Sequence, residues 1–119
     1  MIFGKIWGNT QKIFEHNNVS FHRIQILKGG ICSKHYHEHK YNMFFVENGL
    51  LKISTWQKDY TLVDETILGN NQSTTISPGL YHNFEALEDT VAYEIYYLNL
   101  NDNDIIRDGC GYIKKDSLK

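Results

Sequence analysis

Gly29-Gly-Ile-Cys-Ser-Lys-His35-Tyr-His37-Glu-His39-Lys-Tyr-Asn42-Met-Phe-Phe-Val-Glu-Asn-Gly49 places half of the chain's six histidines within five residues. Alternate side chains of an extended strand share a face, so His35 and His37 turn both imidazoles toward one point. Such a pair makes one wall of a metal site. Asn48-Gly49 then falls between apolar runs. Asn-Gly is a hairpin dipeptide, because both central residues of a type I′ turn need positive φ. The stretch therefore predicts a histidine-bearing strand, a hydrophobic strand and a return strand in succession.

Working outward, short runs of β-branched and aromatic residues are broken by Gly, Asn and Asp clusters from Val19 onward. This is the pattern of an all-β sandwich or barrel. The predicted strands are Val19–Leu27, Ile31–His37, Met43–Glu47, Leu50–Trp56, Thr61–Leu68, Thr74–Ile76, His82–Glu85 and Thr90–Tyr97. Loops fall at Lys28-Gly29-Gly30, Asn48-Gly49, Gly69-Asn70-Asn71 and Pro78-Gly79, and the single proline suits a turn. No segment keeps a helical period for three turns. The expected organisation is one domain over 1–119, with residues 1–18 as an N-terminal arm and 101–119 as a C-terminal tail.

Composition narrows the function. A chain of 119 residues holds one core and buries roughly two-thirds of its unfolded surface. The net charge of −2 comes from both signs spread along the chain, against the basic patch that nucleic acid demands. Cys32 and Cys110 give no disulfide framework and no Cys-x-x-Cys pair. No stretch approaches the roughly 18 apolar residues of a membrane span, and Met-Ile-Phe-Gly-Lys lacks an apolar leader. A cytoplasmic setting without nucleic acid or membrane is expected.

The spacing Gly29, His35, His37, Asn42, Gly49 resembles the first motif of the cupin superfamily, with Asn42 where that motif has glutamate. Pro78-Gly79-Leu80-Tyr81-His82, opened by Gly69, is similar to the second. Lys5-Ile6-Trp7-Gly8 and Asp104-Ile105-Ile106-Arg107 resemble the two ends of the cupin domain of type II mannose-6-phosphate isomerases. Ser33, His37 and Lys40 match that family's Ser, His and Arg, and His35 falls at its Gln. Met43 replaces a histidine of the family, and its Tyr-Gly-Arg ending is absent. The resemblance implies a single cupin barrel, the double-stranded β-helix or jelly roll.

In a barrel closed as in cupins, His35, His37 and His82 converge from two strands with Asn42 beside them. Three imidazoles suit one divalent transition metal, Zn, Fe, Mn, Ni or Co, with open positions for water or substrate. A neutral amide in place of a carboxylate leaves the ion its full +2 charge, making it a stronger Lewis acid and the site a weaker trap for metal. Asn42 either ligates through its oxygen or hydrogen-bonds a metal-bound water. His39 shares the alternation if the strand continues; otherwise it is a solvent-exposed strand-end residue. His16 and His22 lack a partner pattern and read as structural or surface residues.

Lys40 and Arg107 are the candidates for holding an anionic substrate, or else are solvated salt-bridge formers. Tyr81 and Glu94 are candidates for moving a proton, and core or rim packing is the alternative for the tyrosine. Cys32, by parity, falls opposite His35 and His37 and reads as a buried apolar residue. The resemblance implies a metal-dependent isomerase of sugar phosphates. A three-histidine iron dioxygenase and a non-catalytic ligand-binding barrel are the alternatives. The aromatic run Tyr93-Glu94-Ile95-Tyr96-Tyr97, with both faces apolar, suggests a homodimer surface.

Overall fold

The computed structural model describes residues 2–98 and 104–114. Its thirteen strands are β1 (Ile2–Lys5), β2 (Gly8–His16), β3 (Val19–Ile26), β4 (Gly30–Ile31), β5 (Lys34–Tyr36), β6 (Tyr41–Asn48), β7 (Leu51–Trp56), β8 (Leu62–Leu68), β9 (Ser73–Ile76), β10 (Tyr81–Ala86), β11 (Thr90–Tyr97), β12 (Ile106–Asp108) and β13 (Tyr112–Ile113). They form two antiparallel sheets. One runs β1-β2-β3-β11-β6-β9. In the other, β10 lies between β7, itself edged by β8, and the β4 and β5 segments, which pair outward with β13 and β12. None of the described residues forms a helix long and apolar enough to cross a membrane.

Period-two patterning builds the core between the sheets. In β6, Asn42, Phe44 and Val46 are buried while Tyr41, Met43 and Phe45 alternate outward. Ile24, Val46, Leu51 and Ala92 are fully enclosed, and Phe44 nearly so; burying a side chain such as Phe44 contributes roughly 1.5–3 kcal/mol. The inner face of β11 places Ala92 in the apolar core and then turns into a cavity wall at Glu94 and Tyr96, so it is not apolar throughout. Its outer face carries Tyr93, stacked on Phe21 with ring centroids 5.2 Å apart.

Asn48-Gly49 does not close a hairpin. β6 pairs with β11 and β9, β7 pairs with β10 and β8, and the turn hands the chain from one sheet to the other. Only Gly49 has positive φ, +125°. A Cβ there would meet Thr90 Oγ1 at 2.5 Å and Asp89 O at 2.7 Å, so the glycine answers a close approach rather than a type I′ turn.

The predicted strand Ile31–His37 is interrupted. Ile31 pairs with Glu85, but His35 pairs with His82, so one extra residue is accommodated at Cys32-Ser33. This two-against-one count is a β-bulge, and it reverses the parity of everything before it. Cys32 therefore shares the face of His35 and lines the same cavity, contrary to the alternation expected from sequence.

The N-terminal arm is a hairpin, with Lys5 opposite Gly8, and its β2 strand adds to β3. Trp7, in the tight turn, enters the core edge-on to Phe84 at 4.9 Å. Within the C-terminal tail, β12 and β13 extend the second sheet; residues 101–103 and 115–119 lie outside the described residues.

Candidate metal centre

His35, on β5, and His82, on β10, are direct cross-strand partners, and His37 stands one residue past the end of β5. All three are buried, and one ring nitrogen of each lies within 4.8 Å of the others. Asn42 enters from β6 of the opposite sheet, 1% exposed. Its Oδ1 lies 3.2 Å from His82 Nε2.

Backbone carbonyls select the tautomers. His35 Nδ1 is 2.7 Å from Ser33 O, His37 Nδ1 is 2.6 Å from Asp104 O, and His82 Nδ1 is 3.2 Å from Leu80 O. A carbonyl only accepts, so Nδ1 of His35 and of His37 carries the proton and Nε2 keeps a lone pair; His82 has an acceptor oxygen 3.2 Å from each ring nitrogen, Leu80 O and Asn42 Oδ1, and donates to one of them. The Asn42 amide adjoins Glu94, whose carboxyl burial raises and the amide pulls down, while His37 Nε2 is buried without a hydrogen-bond partner. Buried polar atoms left this way cost about 1–3 kcal/mol each. The lone pairs of His35 and His37, that of His82 in its Nδ1–H form, and the amide oxygen fit a cation, and two donor atoms sharing an ion at about 2.1 Å stand roughly 3.0–3.4 Å apart.

The three imidazoles are held neutral, the form that ligates. Burial lowers His35 to about 3 and His37 to about 4. Burial, reinforced by the neighbouring His35 and His37, keeps His82 well below the ordinary range. The donor set is one that Zn, Fe, Mn, Ni and Co all accept, so it does not select among them.

A cavity of about 380 Å³ opens beside His35, lined among others by Trp7, Thr10, Ser33, Glu94, Tyr96 and Arg107. A smaller one of about 190 Å³ touches His37, Lys12, Lys40 and Ser20 and shares His22, Tyr96 and Arg107 with the first. Glu94 accepts the Tyr96 hydroxyl hydrogen bond. Burial raises the Glu94 carboxyl above its usual range against the pull of that hydroxyl, and burial with the Glu94 charge raises Tyr96. Arg107 Nη1 donates to Ser33 Oγ at 3.2 Å, and Lys40 Nζ sits 4.5 Å from the centroid of the Tyr96 ring.

Of the residues singled out from sequence, His35, His37, His82 and Asn42 come together, and Lys40, Arg107 and Glu94 line the adjoining cavities. His39 is exposed, 3.7 Å from Glu38, and stands outside the cluster. Tyr81 packs on Tyr36, 4.8 Å away, and lines neither cavity. Cys32 is buried as expected, and burial pushes its thiol far up. His22, read as structural or surface, borders both cavities.

Tyr96 and Asp104 were missed. Tyr96 follows Glu94 by two, so the period that turns Glu94 inward already marked it. Asp104 gives no local signal, because the N–H groups its carboxylate accepts lie 64 to 66 residues away. Burial opposes its charge, but the Glu38 and His39 N–H groups prevail and hold the carboxyl below the usual range.

No family model and no curated protein matches the chain. Solved structures do. Oxalate decarboxylase from Bacillus subtilis superposes with a TM-score of 0.76 at 13% identity, over 90% of this chain and 29% of its own. The capsular polysaccharide assembling protein CapF from Staphylococcus aureus gives 0.76 at 18%, over 90% and 31%. KdgF from Halomonas sp. gives 0.70 at 13%, over 81% and 83%. The chain thus spans about a third of the first two and most of the third. The fold is the cupin jelly roll.

Proposed function

We propose that this cupin-fold chain binds one divalent transition metal through His35, His37 and His82, with Asn42 as a further donor, and isomerises a sugar phosphate. The observation that carries the reading is the convergence of three buried, neutral imidazoles on one point beside a cavity. Its volume, about 380 Å³, falls within the range of small-molecule sites. CapF, a structural neighbour, is a capsular polysaccharide assembling protein, and that tie to a polysaccharide favours a carbohydrate over other small polar ligands.

The metal supplies, when bound, a Lewis-acid contact to a carbonyl or vicinal hydroxyl oxygen. Glu94 takes the proton from the carbon beside the carbonyl and returns it to the neighbouring carbon. The Tyr96 hydroxyl steadies that carboxylate between the two transfers. Arg107 grips the phosphate as a planar fork and Lys40 adds a point charge from the smaller cavity. Ser33 Oγ accepts a hydrogen bond from the guanidinium and helps to fix it.

Two measurements test the reading. Elemental analysis should find near-stoichiometric metal in the wild type and little in His35→Ala and His82→Ala. Aldose and ketose phosphates should then exchange the C2 proton with solvent in a single turnover. Metal without exchange would retire the isomerase assignment. The all-neutral donor set also suits a three-histidine iron dioxygenase, which Fe(II)-dependent oxygen uptake would reveal.

A further inference from the structure

We infer that Asp104 is the positioning residue of the metal centre, an inference that rests on the three histidines holding an ion. Its side chain and its backbone grip the same place from two directions. Oδ1 accepts the N–H of Glu38 at 2.6 Å, and Oδ2 accepts the N–H groups of His39 and Lys40 at 2.9 and 3.2 Å. Three successive backbone donors around one carboxylate make a small anion-holding turn. Hydrogen bonds to an ionised acceptor are roughly twice as strong as neutral ones.

The carbonyl of the same residue accepts His37 Nδ1–H at 2.6 Å. The gripped turn, Glu38 to Lys40, joins His37 to β6, which carries Asn42. One residue thereby sets both the angle of the His37 ring and the course of the turn that leads to the Asn42 amide. The other two histidines need no such help. His35 and His82 bond to carbonyls two residues away on their own segments, Ser33 and Leu80. His37 alone takes its tautomer from a segment 67 residues distant. Partners of this kind orient metal ligands, and their removal typically costs 10–100-fold in affinity.

The carboxylate is specific to the task. Both oxygens are engaged with N–H donors, so an asparagine would turn an NH₂ toward one of them. Asp104→Asn keeps one arm of the carboxylate grip and Asp104→Ala neither; the main-chain carbonyl remains in both, and what is lost is its placement against His37.

The test uses the whole chain carrying either substitution. Long-range ¹H–¹⁵N spectra of the metal-free protein report each imidazole tautomer, and competition with a chromophoric chelator reports Zn²⁺ affinity. In Asp104→Ala, His37 should pass from the Nδ1–H form to a mixture of tautomers while His35 and His82 stay unchanged. Zn²⁺ binding should weaken by about 10–100-fold, and by less in Asp104→Asn. A His37 tautomer retained in both variants, or Zn²⁺ affinity within about twofold of wild type, overturns the inference. Should the alanine variant fail to fold, the asparagine variant decides on the same two readouts. Wild-type protein that takes up no Zn²⁺, Fe²⁺ or Co²⁺ overturns the metal reading itself, and the His37 tautomer still shows whether Asp104 holds the ring.

Discussion

His82 stands directly opposite His35 across the β10–β5 ladder, with ring centroids 4.3 Å apart. Opposed residues are the nearest neighbours a sheet offers, and their spacing is set by backbone hydrogen bonds rather than side-chain packing. Asn42 reaches the same point from the other sheet. The donor set therefore joins the two layers of the barrel.

Replacing Asn42 by aspartate restores a carboxylate to this set and reduces the net charge around a bound ion. Asn42→Asp should hold Zn²⁺ about tenfold more tightly, on the order of 1.4 kcal/mol. Chelator competition measures it. Affinity equal to or weaker than wild type would remove Asn42 from the donors.

Glu94→Gln keeps the shape of the side chain and removes its capacity to take a proton. Zn²⁺ stoichiometry should be unchanged, while proton exchange from sugar-phosphate C2 should drop by about 10²–10⁴-fold. Unaltered exchange would place the base elsewhere.

Stability of the metal-free protein should fall with acid. His35 and His37 titrate near 3 and 4 in the fold, against 6.5 for an ordinary histidine, and His82 is also lowered. Below about pH 6.5 the unfolded chain takes up protons that the folded one refuses. The contribution is whole above that pH and is lost as pH drops toward the folded values. Glu94, raised in the fold, acts with the opposite sign but is one group against three. The urea midpoint should be lower at pH 5 than at pH 7; an equal or higher midpoint at pH 5 would contradict neutral buried imidazoles.

Much of the cluster was legible because its members sit at fixed spacings: His35 and His37 two apart, Asn42 five further on, and His82 after Pro78-Gly79. Strand alternation carried most of the barrel. What escaped depended on backbone events that residue types do not encode. The bulge at Cys32-Ser33 reversed a parity, and the turn at Gly49 changed sheets instead of closing a hairpin. Asp104 was invisible as a partner because nothing near it in sequence requires a carboxylate.

Trp7 shows the same limit. In sequence it belongs to an arm, but in the fold it is 8% exposed. A Cβ added at Gly30 or Gly111 would lie only 3.0 or 2.8 Å from its atoms. Trp7→Ala should cost about 3–5 kcal/mol in urea unfolding. A loss under about 1 kcal/mol would mean that the arm is dispensable to the core.

The long reach from Asp104 and Arg107 back to His37 and Ser33 has a consequence for biogenesis. A nascent chain emerges in order, so His35, His37 and Asn42 leave the ribosome first, His82 follows, and residues 104–107 come later. Until they arrive, the His37 ring lacks the carbonyl that orients it. On the metal reading proposed above, the full donor geometry forms only once residues 104–107 have joined the barrel, so an ion would be taken up by the finished fold rather than seed it.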